Sequence, residues 1–278
     1  MYTFNKPLHL SPYDHPDIYP GPTPKHSFIY MKGKAYPIMG SGDPSQLFID
    51  FNGRTMTVAQ FLKEQNVCPI EERYPILSYG SNICLAQLKY KYSLNPKLND
   101  IVINLKGKLQ DTDIIYAAYM TKYGALPAML GPMEGAKCQV WLTLFDEQQF
   151  KHITHTEKIY SIASHREKKL KLSCGIKPVE FYAYYFNRAL AYNGSFFRYP
   201  DIPATNSSAK EVWQAHMLQL LSKSFDLERE PFIDLVKTNV AFRRIVQRTL
   251  GLLSVPIKHA DWTPVKKMKK WKDISQGL

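Results

Sequence analysis

Alternation of apolar and polar residues dominates residues 26–57. HSFIYMKGKAYPI reads as two short strands joined by a Lys-Gly-Lys turn. LFIDFNGRTMTV places Asn52-Gly53 between alternating runs, a two-residue hairpin signal. The period then changes, because TVAQFLKEQNV sets Val58, Phe61 and Leu62 at helical spacing and completes a small ββα unit. From residue 75 the runs PILSY, IVINLKGKL, IIYAAYMTKY, LPAML, KCQVWLTL, VEFYAYYF and ALAYN predict strands, punctuated by Gly, Pro and Asn. One helix interrupts them: DEQQFKHITHTEKIYSI carries Phe150, Ile153 and Ile159 near one face, with Asp146 as its N-cap. From residue 207 the pattern turns helical. SAKEVWQAHMLQLLSKSF sets Val212, His216 or Met217, and Leu220 on one stripe, with His216 read as a hydrogen-bonded packing residue, and shorter helices follow through FIDLV and FRRIVQRTLGLL. The first 25 residues are rich in Pro, His and Tyr without periodicity and read as an extended arm over the surface. The chain divides on this pattern into 1–70 (arm and ββα extension), 71–205 (core) and 206–278 (helical region with a basic tail).

A hydrophobic content of 45% over 278 residues fits a globular chain with a full core rather than a disordered one. No run of eighteen apolar residues occurs, and the N-terminal stretch has Pro and His where a secretory signal needs an apolar core. The four cysteines, Cys68, Cys84, Cys138 and Cys174, form no CxxC pair, so free thiols in a reducing, cytoplasmic compartment are the expectation. The Asn-x-Ser triplets at Asn193 and Asn206 carry little weight without such a signal. The net charge of +12 is concentrated late: residues 206–278 hold 13 basic and 7 acidic side chains. Lys266, Lys267, Lys269, Lys270 and Lys272, with Trp262 and Trp271, read as a solvated helix end or frayed tail, with an acidic protein or membrane surface as the functional alternative. No nucleic-acid-binding module accompanies the charge.

The stretch ILSYGSNICL, residues 76–85, breaks an apolar run at Tyr79-Gly80-Ser81-Asn82 and resumes in a helical pattern. Gly80 and Asn82 mark a sharp turn, and Ser81 or Asn82 is the expected cap of a helix over 83–92. Such a strand–turn–helix corner aims backbone N–H groups at one point and cradles a negatively charged oxygen. A second stretch, TKYGALPAMLGPMEGAKCQVWLTLFDEQQFKHITHTEKIY, contains a tight turn at Gly124, a Gly-rich turn over 131–135, a buried strand and a helix ending in Glu157.

Taken in order, these elements resemble the γ-glutamyl cyclotransferase-like family. The family's strand into YGSN is matched by Ile76–Asn82. Its glycine-bearing strand ahead of an apolar Val-Trp segment is matched by Tyr123–Leu130 and Val140-Trp141. Its helix delivering a glutamate is matched by residues 150–157. The resemblance covers about residues 76–160 and is nearest an uncharacterised bacterial subgroup with a YGA[IL]PA segment and an [HT]ATE-type glutamate. Lys158 stands where family members often carry Gly, and Tyr160 is the near candidate for a tyrosine common after the glutamate.

The resemblance implies an α+β fold with a mixed, curved sheet or partial β-barrel, flanked by helices, a small N-terminal ββα extension and a C-terminal helical cap. It implies an enzyme that cleaves a γ-glutamyl amide by attack of the substrate's own α-amine, releasing 5-oxoproline and a free amine. Glu157 carries the proton transfers; Tyr79, Gly80, Ser81, Asn82, Tyr123 and Gly124 form the substrate site; no metal or other cofactor is called for. The partner is then a small γ-glutamyl compound, and no nucleic acid. The alternative is a non-catalytic regulatory protein docking an acidic partner through the basic C-terminal region, for which a carboxylate at 157 has no use. Glu134 in GPMEG reads as a solvated loop charge. His152, His155 and His165 fall at no recurrent metal spacing, and His152 with His155 reads as a surface pair.

Overall fold

The computed structural model describes residues 8–167 and 169–275. The first seven residues of the arm and the last three of the tail lie outside these. The fold is α+β: among the described residues six α-helices surround a large, mostly antiparallel sheet, with a separate two-stranded sheet beside it.

Strands β1 (Phe28–Met31) and β2 (Lys34–Pro37) form the first expected hairpin. β3 (Phe48–Phe51) and β4 (Arg54–Thr57) form the second, with Asn52 and Gly53 both at positive φ, as a tight two-residue turn between right-twisted strands requires. Helix α1 (Val58–Glu64) begins at a capping box between Thr57 and Gln60 and buries Val58, Phe61 and Leu62. The ββα extension is therefore β3–β4–α1. The first hairpin belongs to the main sheet, because β1 pairs with β6 (Val102–Tyr116).

β5 (Tyr74–Ser78) leads through a 3₁₀ turn, Ser81–Ile83, into α2 (Leu85–Ser93). The cap position of α2 falls on Cys84, not on Ser81 or Asn82 as expected, because the 3₁₀ turn uses those residues first. β6 and β7 (Ala128–Phe145) then pair antiparallel over nearly their whole length. The segment GPMEG does not reverse the chain. Thr112 pairs with Pro132 and Gln110 with Lys137, so four residues bulge opposite Asp111, whose carboxylate accepts the Gly135 N–H at 2.9 Å. Glu134 sits exposed on this bulge. IIYAAYMTKY likewise leaves the strand after Tyr116 and turns through Gly124.

Helix α3 (Glu147–Thr156) starts at an Asp146–Gln149 capping box; Ile159 lies beyond it. The remaining strands are β8 (Ser161–His165), β9 (Leu170–Leu172), β10 (Phe181–Tyr185), β11 (Arg188–Tyr192), β12 (Ser195–Arg198), β13 (Ala204–Thr205) and β14 (Lys210–Glu211). Helices α4 (Gln214–Lys223), α5 (Arg229–Thr238) and α6 (Val240–Leu252) follow, then β15 (Ser254–Pro256) and β16 (Trp262–Pro264). Because α4 begins only at Gln214, the buried stripe is Ala215, Met217, Leu218 and Leu221. His216 and Leu220 face solvent, against expectation.

The main path of the sheet runs β15-β11-β12-β6-β7-β5-β10-β8-β16, open at both ends. β5 and β10 are its parallel neighbours, so the chain leaves both at one edge. β5 is buried on both faces: Ile76 packs with Leu88, Ile153 and Tyr182, and Leu77 with Leu105 and Leu142. A buried ion pair ties β12 to β6, with Arg198 Nε 2.7 Å from an Asp113 Oδ2 that is fully shielded from solvent. Arg198 also bonds Glu211 and the Ile202 carbonyl.

As far as Ser275 the C-terminal tail is not frayed. Trp262 lies in β16 and Trp271 is fully buried, its backbone N–H donating to the Arg73 carbonyl at 2.8 Å. Lys270 and Lys272 both pair with Glu72. Lys266 and Lys267 remain exposed. Neither tryptophan is presented as a surface anchor.

Trp262 also covers His165, which stacks on Phe181 with ring centroids 4.7 Å apart and is shielded from solvent. Burial pushes the His165 imidazole down to about 4, outweighing Asp261, while His259 and Lys169 push the same way as burial. The unfolded chain therefore takes up this proton at higher pH than the folded one, and stability falls as pH drops from about 6.5 toward 4, by at most about 3 kcal/mol. We expect His165→Leu to flatten the acid limb of urea midpoints measured between pH 7.5 and 4.5. An unchanged limb would remove His165 as its source.

Candidate active site

The parallel ends of β5 and β10 frame one small cleft, about 310 Å³ when its open mouth is included. Tyr79, Gly80, Ser81 and Asn82 line it from the end of β5, Tyr184 from the end of β10, and Glu157 and Tyr160 from the chain beyond α3. Ala128, at the start of β7, and Tyr19, from the N-terminal arm, complete it. Tyr123 and Gly124 are not on its wall. Gly124 adopts φ +86° in a turn packed near Ile233, while the Tyr123 phenol, raised chiefly by burial, feels the Glu157 charge and the Ser81 hydroxyl from behind.

Helix α3 stops at Thr156, and Glu157 occupies its C-cap, where the chain turns toward β8. Its carboxylate is held through one oxygen. Oε1 accepts the Lys91 ammonium at 2.6 Å and the Asn82 amide Nδ2 at 3.2 Å. Lys91 also donates to Asn82 Oδ1 at 2.7 Å, which fixes the amide orientation. Lys91 is 7% exposed and Glu157 14%, so the pair lies at the wall of the cleft rather than in bulk water. No hydrogen bond to Glu157 Oε2 exists among the described residues. His152 Nε2–H donates to the Lys91 backbone carbonyl at 2.7 Å and locks α3 against the end of α2, so this residue has a structural task and is not half of a surface pair.

Tyrosines supply most of the remaining wall. Tyr79 donates to the Tyr184 carbonyl, Tyr160 to the Ala128 carbonyl at 2.8 Å, and the Tyr184 hydroxyl pairs with Thr154 Oγ1 at 2.8 Å. Burial pushes Tyr19, Tyr79, Tyr160 and Tyr184 upward, and the Glu157 charge adds to it, so their hydroxyls stay protonated donors. Gly80 is needed for approach rather than for its backbone angles, since its φ is −117°. A Cβ there would lie 2.5 Å from the Tyr19 hydroxyl.

The expected Tyr79–Asn82 corner and Glu157 thus share one cleft, together with Tyr160. Sequence reasoning missed Lys91, Tyr184 and Tyr19. Lys91 had a signal: it sits on the Leu85, Leu88, Tyr92 stripe of α2, where a lysine has to find a countercharge. No group of three or more metal-ligating side chains occurs among the described residues, and no described helix is long and apolar enough to cross a membrane. No protein-family model, curated protein or solved structure matches the chain.

Proposed function

We propose that this chain is a γ-glutamyl cyclotransferase-like enzyme that cleaves a γ-glutamyl amide to 5-oxoproline and a free amine. The observation that carries the reading is that a carboxylate and a glycine-containing corner, 75 residues apart in sequence, meet at one small cleft. Ring closure is intramolecular, so a wall that holds the substrate bent removes most of the entropic barrier. Glu157 Oε2 takes a proton from the substrate α-ammonium. The freed amine attacks the γ-carbonyl, forming the N–C bond and a tetrahedral oxyanion. Collapse breaks the original amide bond, and the departing nitrogen receives the first proton from Glu157. The second proton, lost from the ring nitrogen, passes through the same carboxylate to the released amine, which leaves as an ammonium beside the neutral lactam. The Lys91 ammonium beside the carboxylate disfavours a second cation in the cleft, which assists loss of the α-ammonium proton. The oxyanion is met from the Tyr79–Asn82 side of the cleft.

The test is direct. The protein is incubated with a panel of γ-glutamyl amides of aliphatic amines and amino acids, and 5-oxoproline is quantified by mass spectrometry. Ring-closed product with stoichiometric amine is the expected result. Glutamate in place of 5-oxoproline would mean hydrolysis by water, and no product from any member would end the reading.

A further inference from the structure

Building on that reaction, we infer that Tyr19, carried in by the N-terminal arm, is the catalytic residue that donates a hydrogen bond to the tetrahedral oxyanion, with the corner acting through it.

The tyrosine hydroxyl protons at the cleft are unequally committed. Tyr79 and Tyr160 spend theirs on backbone carbonyls, and Tyr184 shares a bond with Thr154. Tyr19 differs. Its oxygen accepts the Ala128 N–H at 3.0 Å, and the Ser81 backbone and hydroxyl add to that interaction. Among the described residues no carbonyl or carboxylate accepts its proton. The phenol is therefore loaded on the acceptor side and free to donate, on the wall it shares with Glu157.

The corner cannot replace it. With the Tyr19 oxygen 2.5 Å from where a Gly80 Cβ would stand, the hydroxyl occupies the space directly over the turn. The Ser81 backbone N–H, a donor of the corner, already interacts with the Tyr19 oxygen. Donors that polarise the Tyr19 oxygen strengthen the bond it donates in turn.

The placement is rigid as well. Tyr19 is 4% exposed and its ring tilts against Tyr199, which stacks on Tyr116 at 3.9 Å. Ahead of Tyr19 the arm is pinned twice, by Ser11 Oγ donating to Gln87 at 3.0 Å and by the Lys237 ammonium on the Asp14 carbonyl at 3.3 Å. A fixed donor of this kind needs no reorganisation as charge develops.

The experiment compares the parent, Tyr19→Phe, and full-length protein carrying fluorinated tyrosines of increasing acidity at position 19. The substrate is a γ-glutamyl amide of an aliphatic amine. Tyr19→Phe should lower kcat by about 10²–10³-fold with KM within a few-fold, the usual loss of one oxyanion donor. Because that variant also leaves the Ala128 N–H without its acceptor, the fluorotyrosine series decides. At a pH where the phenol stays protonated, kcat should rise with phenol acidity while the melting temperature holds. A flat series, or Tyr19→Phe at parental kcat, would overturn the role of Tyr19 and leave the reaction standing. A parent that releases no 5-oxoproline from any γ-glutamyl amide would overturn both.

Discussion

Glu157→Gln is expected to remove nearly all turnover, with release of 5-oxoproline falling by about 10²–10⁴-fold, the range for removing a general acid/base. The substitution is close to isosteric. The new amide oxygen can occupy the Oε1 position, where it still accepts from Lys91 and Asn82. What changes is the second atom, which becomes an NH₂ group that can neither accept the α-ammonium proton nor return it to the leaving nitrogen. Lys91 keeps a hydrogen bond but loses its countercharge, so a moderate loss of stability accompanies the kinetic one. Circular dichroism and a melting curve establish that the variant is folded, and initial rates at saturating substrate establish the loss. A folded variant that turns over at the parental rate removes Glu157 from the mechanism.

Asp113→Asn lowers global stability by about 3–5 kcal/mol, the usual cost of breaking one side of a buried ion pair. In a chain of this size the melting temperature falls on the order of 5–10 °C. Asp113 is fully buried and its Oδ1 also accepts the Ile114 N–H at 2.7 Å, so the single amide oxygen of the variant serves only one of the two donors and the guanidinium loses its buried countercharge. Glu211 is 63% exposed and solvated, and does not replace the missing charge. Since Asp113 lies on β6, away from Glu157, kcat at low temperature should stay within a few-fold of the parent. Urea midpoints decide the matter: a loss below 1 kcal/mol would mean that Glu211 and the Ile202 carbonyl suffice for Arg198.

Those parts of the fold whose causes are local were legible in the chain. The Asn52-Gly53 hairpin follows from two residues that accept positive φ, and α1 and α3 follow from capping boxes a few residues long. The long β6–β7 pairing was not legible, because GPMEG has the composition of a turn. Whether such a segment reverses the chain or bulges depends on the partner strand, here on Asp111. Trp271 misleads for a related reason. Its neighbours are lysines, but its burial is decided by the Arg73 carbonyl nearly 200 residues earlier. At the cleft, the corner and Glu157 were readable as a spaced pattern. Tyr19 was not, since it sits in an aperiodic Pro-rich arm and its position is set by Ala128 and by the missing Cβ of Gly80.

The two outermost strands of the main sheet path are also the last two strands among the described residues. β15 covers β11 and β16 covers β8. During vectorial synthesis, β8, β10, β11 and β12 emerge well before the segments that close the sheet. Until residues 254–264 appear, β11 and β8 present unpaired N–H and C=O groups, the kind of edge that templates pairing with another chain. A polypeptide halted near residue 253 would carry every lining residue of the cleft and still be prone to associate through two raw edges. Closure of the sheet therefore rests on residues 254–264, and termination ahead of them should yield insoluble protein rather than a shortened active one.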